Sequence, residues 1–307
     1  MERLELAGLG TEMRNPRTWN LDEMAPIEIV SEMNREDGKV VDAVKEVLPQ
    51  VAEIITWTTA SLRRGGRVIY IGAGTSGRLG VLDAVECPPT FGVTDQDILG
   101  LMAGGSQAFV KAVEGAEDDE ELGRRDLEQV GLTDRDTVIG LTASGRTPYV
   151  MGALRRANEE GCHTAAISCN RGAAVSALAD TAVEVDTGPE ILSGSTRLKA
   201  GTAEKMILNM ISTASMVGVG KVYQNLMVDV RQTNQKLVCR AQSIVMQAAG
   251  CTREEASEAL RETGGEAKTA VVKLLLNVDT GTAQTLLENC GGKVRQALAA
   301  YRCEKEA

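Results

Sequence analysis

The sequence predicts an α/β fold: a five-stranded parallel sheet between two layers of helices, with helices before it and a small helical appendage after it. Three observations carry this. Five short apolar runs lie between Arg67 and Thr187, the first four separated by helical patterns, and continuous apolar strands of this kind belong to a parallel sheet covered on both faces. A long amphipathic pattern precedes them, and from about Ser195 the spacing is almost wholly helical. Glycine-rich turns link apolar runs to helices, as they do at the carboxyl edge of such a sheet.

In chain order, "TEMRNPRTWN" near the start reads as irregular, and after Leu21 the apolar spacing becomes helical. "VVDAVKEVLPQVAEIITWTTASLRRGG" reads as one long helix ending at Gly65. The strand candidates are "RVIYIG", "ILGLMAG", "TVIGLTAS", "HTAAISC" and "TAVEVDT". The helical patterns between the first four are "TSGRLGVLDAVE", "QAFVKAVEGAEDDEELGRRDLEQV" and "TPYVMGALRRANEEG". "TRLKAGTAEKMILNMISTASMVGVG" is a helix whose broad apolar face should lie on the sheet, with Met206, Met210 and Met216 read as core. "KVYQNLMVDVRQTNQKLVCRAQSIVMQAAG" continues as helix, with a break near Asn225, and the tail holds short helices parted by Gly264–Gly265 and Gly291–Gly292. The expected division is an N-terminal helical segment over 1–65, the sheet domain over 66–237 and a helical subdomain over 238–307.

The composition, 43% hydrophobic and 25% charged, is that of a globular protein, and a net charge of −10 argues against nucleic acid as partner, since that needs a basic face. An anionic ligand must then be held locally, by backbone N–H groups and a few hydroxyls or cations. The seven cysteines are odd in number and form no C-x-x-C pair, so neither a disulfide framework nor a zinc site is expected. No signal-like stretch opens the chain and no apolar run is long enough to span a bilayer, so the expectation is a cytoplasmic protein with reduced thiols and no membrane partner.

"VIYIGAGTSGRLG" spells G-x-G-x-x-G at Gly72, Gly74 and Gly77, directly after an apolar run. It is not a nucleoside-triphosphate loop, because Arg78 and Leu79 stand where Lys and Ser or Thr are needed. A dinucleotide site needs an acid after the second strand, and there the chain has Gly104 and Gly105. A second turn, "TASGRTPYV", repeats the order of strand, small hydroxyls, glycine and helix. Thr75, Ser76 and Gly77 at the first turn and Ser144, Gly145, Arg146 and Thr147 at the second suit a small singly phosphorylated ligand such as a sugar phosphate. Taken singly, each turn is equally well a helix cap. Placed together at a ligand-binding edge, they favour phosphate.

The catalytic equipment is sparse. The single histidine, His163, opens a strand and reads as structural. Two acids stand out: Glu86, before Cys87-Pro88-Pro89, where the diproline should stop the helix and fix the chain, and Glu117, in the acidic run "VEGAEDDEE", which alone reads as a solvated helix face.

"IGAGTSGRLGVLDAVECPPTFG", "AVEGAED", "ASGRTPYV", "SCN", "GPEILSGSTRLKAGTAEK" and "NLMVDVRQTNQKL" closely resemble the bacterial N-acetylmuramic acid 6-phosphate etherases, from about Thr11 to near the C-terminus. Val85, where that family often has Ser, is a departure beside Glu86 and not in it. The resemblance implies the sugar-isomerase (SIS, flavodoxin-like) fold, a homodimer, and a role in recycling cell-wall sugars. It implies cleavage of the D-lactyl ether of N-acetylmuramic acid 6-phosphate to N-acetylglucosamine 6-phosphate and D-lactate, with no metal or organic cofactor required. The family's two acids fall on Glu86 and Glu117, and its phosphate turn on Ser144 to Thr147, with Ser76 at the neighbouring turn. The chemistry suits such acids: ring opening acidifies the C2 proton, a carboxylate removes it, and a protonated carboxyl assists the departing lactate oxygen. Glu86 is assigned as acid and Glu117 as base. Lys199 could pair with the substrate's phosphate or carboxylate, or sit in a surface salt bridge; Arg146 could do likewise or face solvent. Asn225, Asp229 and Asn234 could line the pocket or serve helix packing. A non-catalytic sugar-phosphate regulator and a sugar-phosphate isomerase are the rival readings, and only an etherase releases D-lactate.

Overall fold

The protein is described here by a computed structural model covering residues 9–111, 113–232 and 234–306. The chain divides into two compact units: residues up to Val85 with Gln96–Ser212, and Glu86–Asp95 with the chain from Thr213 onward.

Along the chain, α1 (Pro26–Glu46) and α2 (Leu48–Arg63) precede β1 (Val68–Gly72) and α3 (Gly74–Phe91). Then come β2 (Ile98–Met102), α4 (Gly105–Val110), α5 (Glu120–Gln129), β3 (Thr137–Thr142), α6 (Pro148–Glu160), β4 (His163–Ser168), β5 (Thr181–Glu184) and α7 (Lys199–Gly218). The first unit takes α3 up to Val85 and α7 up to Ser212. All five strands are parallel, in the order β2-β1-β3-β4-β5, with helices on both sides. The central strands β1 and β3 are buried along their whole length, as the continuous apolar runs require. Alternation assigns the faces. Ile69, Ile71 and Val138 pack with Leu127 of α5 and Val150, Ala153 and Leu154 of α6. The opposite face meets α3, where a Cβ on Gly80 would lie 3.0 Å from Tyr70 and 2.9 Å from Leu141. It also meets α2, through the 2.8 Å hydrogen bond between the Ser61 and Thr137 hydroxyls.

The second unit holds α8 (Gln235–Ala249), α9 (Arg253–Glu262), α10 (Ala267–Leu276), α11 (Thr280–Asn289) and α12 (Val294–Glu306) around its own apolar core, which includes Val245, Ala270, Val271 and Ala297. Among the described residues no helix is long and apolar enough to cross a membrane.

Four expectations are corrected. The long helix to Gly65 is two helices, because Pro49 lacks an N–H and is tolerated only in a first turn; Val47 closes α1 and its carbonyl starts α2. The diproline does not stop α3, which runs on to Phe91: proline's fixed φ is itself helical, and the chain turns only at Gly92, φ +67°. The pattern after Gln107 is interrupted at Gly115 (φ +76°), so Glu117 sits in a 3-10 turn, Ala116–Asp118, between α4 and α5. The stretch from Lys221 to Gln232 is not helical, and the side chain of Asn234 accepts from Leu237 N–H and caps α8.

Candidate functional site at the ends of β1 and β3

Parallel register sets Gly72 of β1 beside Leu141 of β3, so the two glycine-hydroxyl turns leave neighbouring strand ends. In this strand order β1 and β3 flank the point where the winding reverses, and ligands of open α/β sheets bind in that crevice.

The first turn is shaped by close approach. A Cβ on Gly77 would lie 2.5 Å from the Gly72 carbonyl oxygen, so only glycine lets α3 begin so close to β1. Thr75 is half-buried and Ser76 is buried. The Ser76 hydroxyl donates to Oε1 of Glu204 on α7, 2.8 Å away. Beside this turn lies a cavity of about 190 Å³ lined by Ala73, Gly74, Arg78, the end of β2 and residues 114–117. Glu117 is thereby brought to the first turn, exposed at the cavity. Arg78 donates to the carbonyls of Ala108 and Phe109, which ties the end of α4 to α3 and steadies the loop before Glu117.

At the second turn Gly145 takes φ +75° and donates its N–H to the Thr142 carbonyl. The hydroxyls bond to one another: Thr142 lies 2.7 Å from Thr147 and 3.3 Å from Ser144. Thr147 stands at the N-cap of α6, yet its side chain makes no capping bond. The capping explanation therefore fails for it, whereas Asp119, Asn234, Thr252 and Asp279 do cap their helices by side chain. Asn170, after β4, donates to the Ala143 carbonyl at 2.9 Å and to the Thr11 hydroxyl, clamping this turn from behind. Arg146 keeps its Nε buried with no hydrogen-bond partner.

Lys199 is not on the surface. It is 1% exposed, and its ammonium lies 2.7 Å from Oε2 of Glu36. Its backbone N–H and that of Ala200 donate to Glu190, so the start of α7 already holds a carboxylate. His163 stacks on Trp57, ring centroids 4.8 Å apart, in keeping with a structural role. Glu86 is an exposed residue of α3 and belongs to the second unit. There Asn225 is exposed, while Asp229 takes Lys221 at 3.1 Å and Lys268 at 2.6 Å. Among the described residues no three His, Cys, Asp or Glu side chains gather as a metal site would need.

Sequence reasoning passed over Glu204, Glu190 and Asn170 as functional side chains. For Glu204 a signal was there: it stands on the buried stripe of Ala200, Ala203, Ile207, Leu208 and Ile211, where an acid has no solvent to face.

A family model of the glucokinase regulatory protein N-terminal SIS domain matches residues 50–158, and one of the C-terminal lid domain of that protein matches residues 224–268. A Mycolicibacterium smegmatis protein named N-acetylmuramic acid 6-phosphate etherase is 55% identical over 297 residues, covering 97% of this chain and 100% of its own. Proteins of the same name from Halalkalibacterium halodurans and a Geobacillus species are 53% and 56% identical, covering 94% and 95% of this chain and 97% and 99% of their own. The fold is similar to that of a phosphoheptose isomerase from Francisella tularensis, with a TM-score of 0.50 at 15% identity, over 63% of this chain and 100% of that one.

Proposed function

The chain belongs to the N-acetylmuramic acid 6-phosphate etherase family, and from that premise we propose that it cleaves the D-lactyl ether of N-acetylmuramic acid 6-phosphate, giving N-acetylglucosamine 6-phosphate and D-lactate. The observation that carries the site is the pair of glycine-hydroxyl turns on adjacent strand ends, with Glu117 at the cavity beside the first. The turns take the phosphate: Thr75, Ser76 and Gly77 on one side, Ser144, Gly145, Arg146 and Thr147 on the other. The second turn offers hydroxyls not committed to a helix cap, and Arg146 offers a guanidinium with a donor to spare.

Once the sugar ring opens, the aldehyde acidifies the C2 proton. Glu117 takes that proton as base, Glu86 gives one to the lactyl oxygen as it leaves C3, and water adds to the resulting unsaturated aldehyde. Lys199 is left out of the phosphate site, because its charge is already balanced by Glu36. The reaction belongs to cytoplasmic recycling of cell-wall sugars. A homodimer fits the exposed Ile27, Val30 and Val41 of α1, and sedimentation showing a fully active monomer would refute it.

The test follows D-lactate release together with deuterium exchange at C2. Glu117→Gln should lose both, and Glu86→Gln should lose release while retaining exchange, each by about 10²–10⁴-fold in rate. If Glu86→Gln abolishes exchange and Glu117→Gln preserves it, the roles are reversed. Normal lactate release by both variants would dismiss the pair.

A further inference from the structure

Helix α7 brings to the first turn a carboxyl that the reaction as written does not use. Glu204 is 1% exposed; Oε1 meets the Ser76 hydroxyl, and Oε2 is buried with no hydrogen-bond partner. The approach is set by the backbone: a Cβ on Gly201, three residues earlier, would lie 3.5 Å from Thr75 Cγ2. Among the described residues no cation pairs with Glu204. On its own helix Lys199 is held by Glu36 and Lys205 is exposed; on α3, Arg78 is occupied by the carbonyls of Ala108 and Phe109. The other titratable groups facing this region are Cys169, after β4, whose thiol is pushed well up by burial and by Glu204 and Glu190, and Glu190 itself, bound to the first N–H groups of α7. Burial pushes the Glu204 carboxyl up to about 7, against the pull of the Ser76 hydrogen bond.

Proton counting then decides what Ser76 can do. A serine hydroxyl has one proton to donate, and an ionised carboxylate and a phosphate dianion both only accept. With Glu204 ionised, the Ser76 proton is committed to Glu204. With Glu204 protonated, the carboxyl donates to Ser76 Oγ and the Ser76 proton is free for another acceptor. We propose that Glu204 is a positioning residue for phosphate binding, whose protonated carboxyl turns the Ser76 hydroxyl toward the phosphate of the sugar substrate. This rests on Ser76 belonging to the phosphate site. Binding of the phosphorylated sugar at alkaline pH must then take up one proton, which goes to Glu204.

The experiment measures KM and kcat for the 6-phosphorylated substrate between pH 6 and 9 on the native protein, Glu204→Gln and Ser76→Ala. Native KM should rise by up to about tenfold per pH unit once the carboxyl is mostly ionised and level off near the KM of Ser76→Ala, since the ionised form withholds the Ser76 proton. Glu204→Gln, whose amide N–H replaces the acid proton, should lose that rise. The phosphate ester's own titration is common to both and drops out of their ratio. Calorimetry of N-acetylglucosamine 6-phosphate binding to the native protein at pH 8, in two buffers of different ionisation enthalpy, should show uptake approaching one proton and needs no variant to fold. Ser76→Ala should raise KM even at pH 6.5; if it does not, the phosphate reading of this turn fails. If Ser76→Ala raises KM while Glu204→Gln keeps the native pH profile, or if no proton is taken up, the turn stands and the role of Glu204 is refuted.

Discussion

The two turns share a plan and differ in what stands behind them. Each follows a central strand, holds a glycine no other residue can replace, and presents hydroxyls at the start of a helix. Behind the second turn stand neutral groups only: Thr142 bridges Ser144 and Thr147, and Asn170 holds the backbone. Behind the first stands α7, with the buried carboxyl of Glu204 on Ser76. The same backbone device for binding an anion thus becomes indifferent to pH or sensitive to it, according to whether its hydroxyl answers to another hydroxyl or to an acid.

Helix α7 contains the contrast within itself, since it buries one paired and one unpaired charge-bearing side chain. Lys199 has Glu36; Glu204 has only a serine. The largest effect expected of a single change here comes from breaking the pair. Burial tends to raise the Glu36 carboxyl, but the hydrogen bonds from Lys199 and Lys39 outweigh it and hold the carboxyl below its ordinary value. A depressed carboxyl contributes stability above its unfolded pKa and loses it as pH falls through the folded one. Lys199→Met leaves Glu36 with the outer cation Lys39 alone, so it should cost about 3 kcal/mol at pH 7, the low end for breaking a buried pair, and less below pH 5. Denaturant unfolding measures this. A variant that unfolds like the native protein but has a raised KM would return Lys199 to the substrate site.

The unpaired side chain has the opposite sign. Glu204 titrates at about 7 in the folded protein, against 4.5 ordinarily. A raised carboxyl contributes its full stability below the unfolded pKa and loses it as pH climbs through the folded one, here between about 4.5 and 7, a loss on the order of 3 kcal/mol. Glu204→Gln should accordingly gain thermal stability over the native protein at pH 8 and none at pH 4.5. Equal Tm differences at the two pH values would show that Glu204 does not titrate in this way, and would remove the chemical distinction between the turns.

Much of this was legible in the sequence, and for local reasons. Short apolar runs located all five strands to within a few residues, most plainly β1 and β3, because a strand buried on both faces has no polar position to blur it. Both turns were visible, since glycine and hydroxyl residues at a strand end are a local pattern. Proline misled in both directions: Pro49 broke a helix read as continuous, and Pro88 and Pro89 failed to break one read as stopping. What could not be read was pairing across distance. Lys199 meets Glu36, and Glu204 meets Ser76, over 163 and 128 positions. Glu117 looked like part of a helix face until Gly115 turned the chain and set it at the cavity.

The smallest predicted effect tests the neutral turn, where hydroxyls and the Asn170 amide stand in place of an acid. Ser144→Ala and Thr147→Val each remove a hydroxyl from a chain that can pass its free proton to the phosphate. Each should weaken binding of the 6-phosphorylated sugar by roughly 1.5–3 kcal/mol, the worth of a hydrogen bond to a charged group. The ratio of variant to native KM should be the same at pH 6.5 and pH 8.5, because Glu204 titrates alike in both proteins and cancels, and it should stay flat in a Glu204→Gln background. The dephosphorylated sugar should bind poorly to the native protein and hardly notice either change. If both sugars lose affinity equally, the second turn does not read phosphate. If the ratio still depends on pH when Glu204 is gone, a titrating group acts on the second turn too, and the two turns are not chemically distinct.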